Sequence, residues 1–488
     1  MAEHSLSGLE PRQVFDYFYQ ITQIPRPSKK EEKIRAYIIE TAKKLNREIQ
    51  EDATGNIVVR KPAATGLESA PIVVLQGHLD MVCEKNKDVA MDFDNDPIRP
   101  RIDGDWVKAT GTTLGADNGI AVATMLAILS DDSLVHGPLE MLFTIDEETG
   151  LTGATHLDPK MLKARCLINL DSEEEGVLFV GCAGAKDATI TFPVKWKDTH
   201  DGVTALQIKV EGATGGHSGL DIHLGRANAI KILARILWSL HRSYGFRLAH
   251  LHGGSKRNAI PREAEAVLTV STEDVTSLKK DFQRLQKAIK PVYHSTDPNL
   301  KITLSETPAE KLHVMKKSQT GVLINLLNGL PHGVMAMSRA LPGLVETSVN
   351  LATIECTHTS ILIGSNQRSF IETEKDALVD RVRAIAELAG AEMTQSEGYP
   401  GWKPDMNSKL LGIAKTTFQG MYGKEPHVTA IHAGLECGII GEKFSGMEMI
   451  SFGPTIQGAH SPDEGLFIPS VKPFYETTLK MLEKIARG

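Results

Sequence analysis

Apolar positions along this chain come in two rhythms. In "PSKKEEKIRAYIIETAKKL" they fall at Ile34, Tyr37, Ile38 and Ala42, the spacing of one helix face, and Ser28 followed by Glu31 reads as a capping box opening that helix. Continuous apolar runs of strand length follow at "NIVVR", "APIVVLQG", "LEMLFTI" and "ARCLINL", with a helix-like "NGIAVATMLAILS" between the second and third. Buried strands alternating with helices predict an α/β sheet whose ligands gather at the carboxyl ends of strands.

Near Cys182 the rhythm changes to alternation. "ATITFPVKW", "TALQIKVEG" and "AEAVLTVST" read as strands of an antiparallel sheet with one wet face, and "GRANAIKILARILWSL" reads as a helix packed on the other. After a charged interval, "KKDFQRLQKAIKPVYHSTDPNLKITLSETPAEK", the ingredients recur as a helix at "TGVLINLLNGL" and strands at "ETSVNLATIEC" and "SILIGSNQ". This predicts an inserted α+β domain over residues 186–395, reading as a duplicated strand-helix-strand unit. The flanking stretches, 1–185 and 396–488, then form one mixed-sheet α/β domain. A chain of 488 residues is long enough for two cores.

Composition narrows the class. Apolar content of 41%, charged content of 24% and a net charge of -7 describe a folded protein without the basic excess that nucleic acid or an anionic membrane surface would call for. A small-molecule partner is expected instead. No apolar run reaches the ~18 residues of a membrane helix, and "MAEHSLSGLEPRQ" lacks the basic-then-apolar order of a signal peptide, so the expected location is cytoplasmic. Cys83, Cys166, Cys182, Cys356 and Cys437 are odd in number and dispersed, and read as buried free thiols.

Charged residues inside apolar runs carry the chemistry. In "VVLQGHLDMV", His78 and Asp80 stand two residues apart on a predicted strand and so share a face. A carboxylate behind an imidazole fixes its tautomer and raises its basicity, as a metal-bound histidine requires. Carboxylates also follow successive strands: Asp146, Glu147 and Glu148 after "LFTI", and Asp171 after "CLINL". Asp117 stands at a glycine-flanked turn entering a helix, and His460 lies in the loop "IQGAHSPDE". Buried charges are costly unless paired or bound to a cation, so a metal site explains these positions together. "GTTLGADNG" lacks the Lys-Ser/Thr ending of a phosphate loop, and Ser218 in "GGHSG" is not in nucleophile-elbow spacing.

The order His78, Asp80, Asp117, Glu147–Glu148, Asp171, His460 resembles that of the two-zinc exopeptidases and deacylases. So do "LQGHLDMV", "GTTLGADNGI", "LDSEEEG", "GGHSG", "RNAIPREA", "YPGWKPD", "HAGLECG" and "GPTIQGAHSPDE", which are spread from residue 75 to residue 464. Within that family the motifs are most similar to the branch that cleaves dipeptides ending in histidine. The resemblance implies a dizinc catalytic domain with an inserted lid. One zinc would take His78, Asp117 and Asp171, and the other Asp117, Glu148 and His460; cobalt or manganese could substitute. Two such metals lie ~3.5–4 Å apart and hold a hydroxide between them. Glu147 would be the general base, Asp80 would orient His78, and the lid's His217 would donate to the carbonyl oxygen. Asn258 and Arg368 would hold the substrate backbone and its carboxylate, with Arg262 and Glu436 as further candidates. A non-proline cis peptide at Asp117–Asn118 is implied as well.

The expected activity is therefore metal-dependent hydrolysis of small dipeptides, notably Xaa-His. An N-acyl amino acid deacylase and a non-catalytic binding module are the alternatives. Retention of Glu147 speaks against the module, and by the same resemblance Asp171, where carboxypeptidases and deacylases carry Glu, speaks against the deacylase. A homodimer is left open.

Overall fold

The computed structural model describes residues 4–308 and 312–488, and the chain divides into two compact units. One comprises Met1–Cys182, Trp402–Ala430 and Leu435–Gly488; the other comprises Ala183–Gly401 and Ile431–Gly434.

The first unit is built on an eight-stranded mixed sheet, as the α/β reading expects. Its order is Glu48–Glu51, Ile57–Lys61, Leu139–Thr144, Val73–His78, Cys166–Asn169, Glu448–Ser451, Val177–Cys182 and His427–Ile431. The four strands Leu139–Thr144, Val73–His78, Cys166–Asn169 and Glu448–Ser451 run parallel, so their carboxyl ends share one edge. Strands covered on both faces read as unbroken apolar runs, which is why Val73–His78 and Leu139–Thr144 are buried along their whole length. Helix Ala116–Ser130 is apolar nearly all round and correspondingly buried, and packs against helix Arg12–Thr22, which buries Val14, Phe15, Phe18 and Ile21. The last helix, Ile468–Arg487, opens with Pro469 in its first turn and buries Val471, Phe474, Met481 and Leu482.

Two local expectations fail here. Helix Glu32–Lys44 does bury Ile34, Ile38 and Ala42, but Ser28 and Glu31 form no capping box. The Ser28 hydroxyl donates instead to Asp80 Oδ2 at 2.7 Å, and the Glu31 carboxylate accepts from the backbone N–H of Lys29 and of Asp146. A buried ionised carboxylate makes the stronger partner and claims the hydroxyl. The five cysteines are free, as expected, but only Cys182 and Cys437 are fully buried.

The second unit is an α+β layer on one antiparallel sheet. Along it lie Lys301–Thr307, Val203–Glu211, Ala264–Ser271, Arg247–Gly253, Val345–Cys356, Ser360–Ser369, Gly184–Pro193 and Glu392–Gln395, with Gly333–Met337 pairing to Val345–Cys356. Each half of this order holds a strand-helix-strand-strand-helix-strand unit in the same arrangement, fourth-first-third-second. The halves meet at their second strands, where Gly253 pairs with Ile354. The helices are Ala229–Tyr244 and Val275–Ile289 in one half, Lys317–Gly329 and Glu372–Leu388 in the other. Ile230, Leu233, Ile236, Leu237 and Leu240 join Leu206, Ile208 and Leu268 in its core. The charged interval after Ser271 thus holds a helix and an edge strand that the apolar pattern did not reveal.

Candidate functional site

The shared edge of the parallel strands gathers the charged residues of the first unit. His78 is the last residue of its strand, Glu147 and Glu148 follow Leu139–Thr144 by three and four residues, and Asp171 follows Cys166–Asn169 by two. His460 lies in the turn between the short strands Ile456–Gln457 and Gly465–Phe467, and Asp117 opens helix Ala116–Ser130, with its peptide to Asn118 in the cis form. Gly77 is forced by this packing, because a Cβ there would stand 2.3 Å from the Asn118 side-chain oxygen.

Asp117 is the shared member. Its Oδ1 lies 3.2 Å from His78 Nε2 and its Oδ2 lies 3.2 Å from His460 Nε2. His78 Nε2 also faces Asp171 Oδ1 at 3.3 Å, and His460 Nε2 faces Glu148 Oε2 at 3.0 Å. Asp80 stands behind His78, Oδ1 to Nδ1 at 3.3 Å, although the strand ends at His78 and a turn, not the pleat, brings it there. Asp80 also accepts from the Ser28 hydroxyl and the N–H groups of Glu147 and Glu148, which ties the histidine to the glutamate pair.

The electrostatics match a cation seat. Burial opposes ionisation of Asp80, yet the His78 ring and these donors hold it down at about 2. Hydrogen bonds to Asp117 and Glu148 lift His460 to about 11, while burial lifts Asp171 to about 6. Burial also carries Glu147 well above the carboxylate range; the His78 charge opposes, and Asp171, Glu436 and Glu148 reinforce. Ligand atoms of His78, Asp117 and Asp171 lie within 4.8 Å of one another, as do those of Asp117, Glu148 and His460. Glu147 falls in a third such group with His78 and Glu148. Glu148 Oε1 is buried without a hydrogen-bond partner, the orphan that a bound cation would satisfy. Imidazole nitrogens and carboxylate oxygens without thiolate suit a divalent ion of the zinc class, so the donors fit a metal.

The second unit places His217, Asn258 and Arg368 in one neighbourhood. Gly216–His217 pairs with Ala259–Ile260, and Ser218 N–H donates to the Asn258 carbonyl at 2.8 Å. The Ser218 hydroxyl and Arg368 Nε both donate to Asn366 Oδ1, while Arg368 Nη1 donates to the Tyr399 hydroxyl. Arg368 is 4% exposed, so it is a buried cation held by neutral partners rather than a solvated arginine. His217 Nδ1 accepts the N–H groups of Gly219 and Leu220 at 3.2 and 3.0 Å. That leaves Nε2 to carry the ring proton. Burial, with the Arg368 charge, lowers the His217 pKa to about 4, so the ring is a neutral donor at pH 7. Gly219 admits no side chain, since a Cβ would lie 2.0 Å from the His432 carbonyl.

Four buried residues that support these clusters were not singled out for such roles from the sequence. Asp297 closes the base of the His217 loop by accepting from Thr214 N–H and Ala227 N–H. Glu436 accepts from Gln76 Nε2 and the Thr144 hydroxyl beneath the strand ends, and its motif "HAGLECG" is the only signal it gives. Arg26 and Glu464 grip the loop before Asp117 from two sides.

Residues 74–484 match peptidase family M20/M25/M40. The chain belongs to that family. A cytosol non-specific dipeptidase of Escherichia coli (strain K12) is 42% identical over 480 residues, which cover 98% of this chain and 99% of that protein. The crystal structure of an aminoacylhistidine dipeptidase from Vibrio alginolyticus matches with a TM-score of 0.92 and 40% identity, over 99% of this chain and 98% of that one. The aminopeptidase PepT of Bacillus cereus shares the fold, with a TM-score of 0.57 at 16% identity over 98% of this chain and 99% of that one. The chain is therefore a peptide-bond hydrolase, and the family resemblance read from its motifs is borne out.

Proposed function

We propose that this peptidase is a metal-dependent dipeptidase that hydrolyses small dipeptides with a free amino terminus, including those ending in histidine. The observation that carries the reading is Asp117, whose two oxygens face two different histidines while Glu147 stands beside both groups. His78, Asp117 and Asp171 would hold one divalent ion and Asp117, Glu148 and His460 a second, zinc being the ion that the nitrogen and oxygen donors suit best. Bound there, such ions supply Lewis acidity and bring a water pKa toward neutrality.

The chain's own residues do the rest. Glu147 takes the proton of the attacking water and delivers it to the leaving amine. Asp80 orients His78 through Nδ1. His217, neutral with its proton on Nε2, donates to the scissile carbonyl oxygen as charge grows there. Arg368 binds the substrate carboxylate through its guanidinium, and Asn258 holds the peptide backbone.

The dipeptidase names of the two relatives at 42% and 40% identity support the substrate class. The "cytosol" in the first name supports a cytoplasmic location, and no helix among the described residues is long and apolar enough to cross a membrane. The test compares metal-loaded protein on β-alanyl-histidine, glycyl-histidine and dipeptides without histidine against N-acetyl-histidine and other N-acetyl amino acids. Turnover of the free dipeptides with little or none of the acetylated compounds is expected. Preference for the acetylated compounds would make the protein a deacylase.

A further inference from the structure

Glu464 lies four residues beyond His460 and is 2% exposed. Its carboxylate accepts four consecutive backbone N–H groups. Oε2 takes those of Leu114 and Gly115 at 2.7 and 2.9 Å, and Oε1 takes those of Ala116 and Asp117 at 2.7 and 3.2 Å. These belong to the loop and first turn of helix Ala116–Ser130, whose own cap supplies no side-chain bond. From the other side Arg26 donates to the Gly115 carbonyl and, through Nη1, to the carbonyls of Leu79 and Asp80 at 2.9 and 2.7 Å.

One carboxylate thus joins two segments about 350 residues apart in sequence, one carrying Asp117 and the other His460. His460 itself has φ 63, a left-handed conformation uncommon outside glycine. Between His460 and Glu464 the turn is closed locally, Glu464 N–H donating to the Ser461 carbonyl. Anchoring Glu464 therefore also anchors the turn that presents His460.

The two donor groups depend on this contact unequally. In the group of Asp117, Glu148 and His460, two of the three donors hang on Glu464; in the group of His78, Asp117 and Asp171, only one does. We infer that Glu464 is a positioning residue that sets the cation affinity of the His460 site, and affects the His78 site less. The inference rests on the metal reading above.

Glu464→Gln keeps the shape but replaces one acceptor oxygen by an NH2 that faces N–H donors. Glu464→Asp keeps the charge and withdraws it by one methylene. Full-length wild-type and variant proteins, stripped by chelator, would be titrated with zinc in competition with a chromophoric chelator, circular dichroism confirming that each is folded. Asp463→Asn, which removes an exposed carboxylate next door, serves as control.

Wild type should bind two equivalents. Any folded Glu464 variant should weaken one site by about 10-fold or more and the other by less than about 3-fold, with Asp463→Asn like wild type. In a His460→Ala background, which leaves only the His78 site, adding Glu464→Gln should change the remaining affinity by less than about 3-fold. Folded variants with both affinities unchanged, or with both equally weakened, would overturn the inference. A wild-type protein that binds no zinc would instead overturn the metal reading.

Discussion

His460 and His217 both stand in glycine-flanked loops, and their surroundings drive their protonation in opposite directions. His460, facing Asp117 and Glu148, is lifted to about 11. His217, buried near Arg368 with its Nδ1 occupied by two backbone N–H groups, is lowered to about 4. The first environment presents carboxylate acceptors directly to the ring, so it favours a proton or, better, a divalent cation. The second already contains a cation and presents neutral donors, so it favours a carboxylate or a carbonyl oxygen that gains charge. A histidine's role is thus set by what its segment folds onto, not by the nearby glycine and the following serine that both segments share.

The sharpest test of this division is Glu147→Ala. Turnover of a dipeptide should fall by about 10³-fold or more while both zinc equivalents remain, because the base handles a proton and is not needed to hold metal. Loss of metal together with activity would move Glu147 into the ligand set, which its grouping with His78 and Glu148 makes a real alternative. His78→Ala and His460→Ala should each lower the zinc content of purified protein by about one equivalent and reduce activity severely, measured by elemental analysis alongside a dipeptide assay. Full zinc content in either would contradict the cation role of the first region.

In the second region the outcome should separate differently. His217→Ala should reduce kcat by about 10²–10³-fold with metal content unchanged, and Arg368→Lys should act mainly on KM. A drop in bound zinc in either variant would blur the contrast between the two regions. The smallest effect concerns pH. The pKa of His217 is about 4 in the folded protein against 6.5 ordinarily, so between those values the unfolded chain takes up a proton that the folded chain refuses. Its contribution to stability therefore falls as pH drops from 6.5 to about 4, and levels off below. Urea unfolding at pH 7 and pH 4.5 should show a smaller loss for His217→Gln than for wild type; an equal loss would contradict the neutral-donor environment.

What the sequence made legible follows from where the signals lie. His78, Glu147, Glu148 and Asp171 stand out because each charge interrupts or ends an apolar run that only a strand explains, and parallel strands bring such ends to one edge. Arg26 and Glu464 were silent because their partners are backbone groups far away in the chain, invisible to any local pattern. Ser28 misled for the same reason: its local partner would have been a helix N–H, but a distant carboxylate binds it more strongly. Helix Val275–Ile289 escaped because Leu278, Phe282 and Ile289 are few among lysines, glutamines and aspartate, so its buried face is narrow and its polar face dominates the composition.

The roles of His78, Asp117, Glu148, Asp171 and His460 all depend on metal being held in the first region. The direct test is dipeptide turnover by protein stripped with chelator and then restored with zinc in steps. Stripped protein should be inactive, and activity should return as zinc is bound, complete only when both donor groups that share Asp117 are filled. Full turnover by protein shown to be metal-free would contradict those roles.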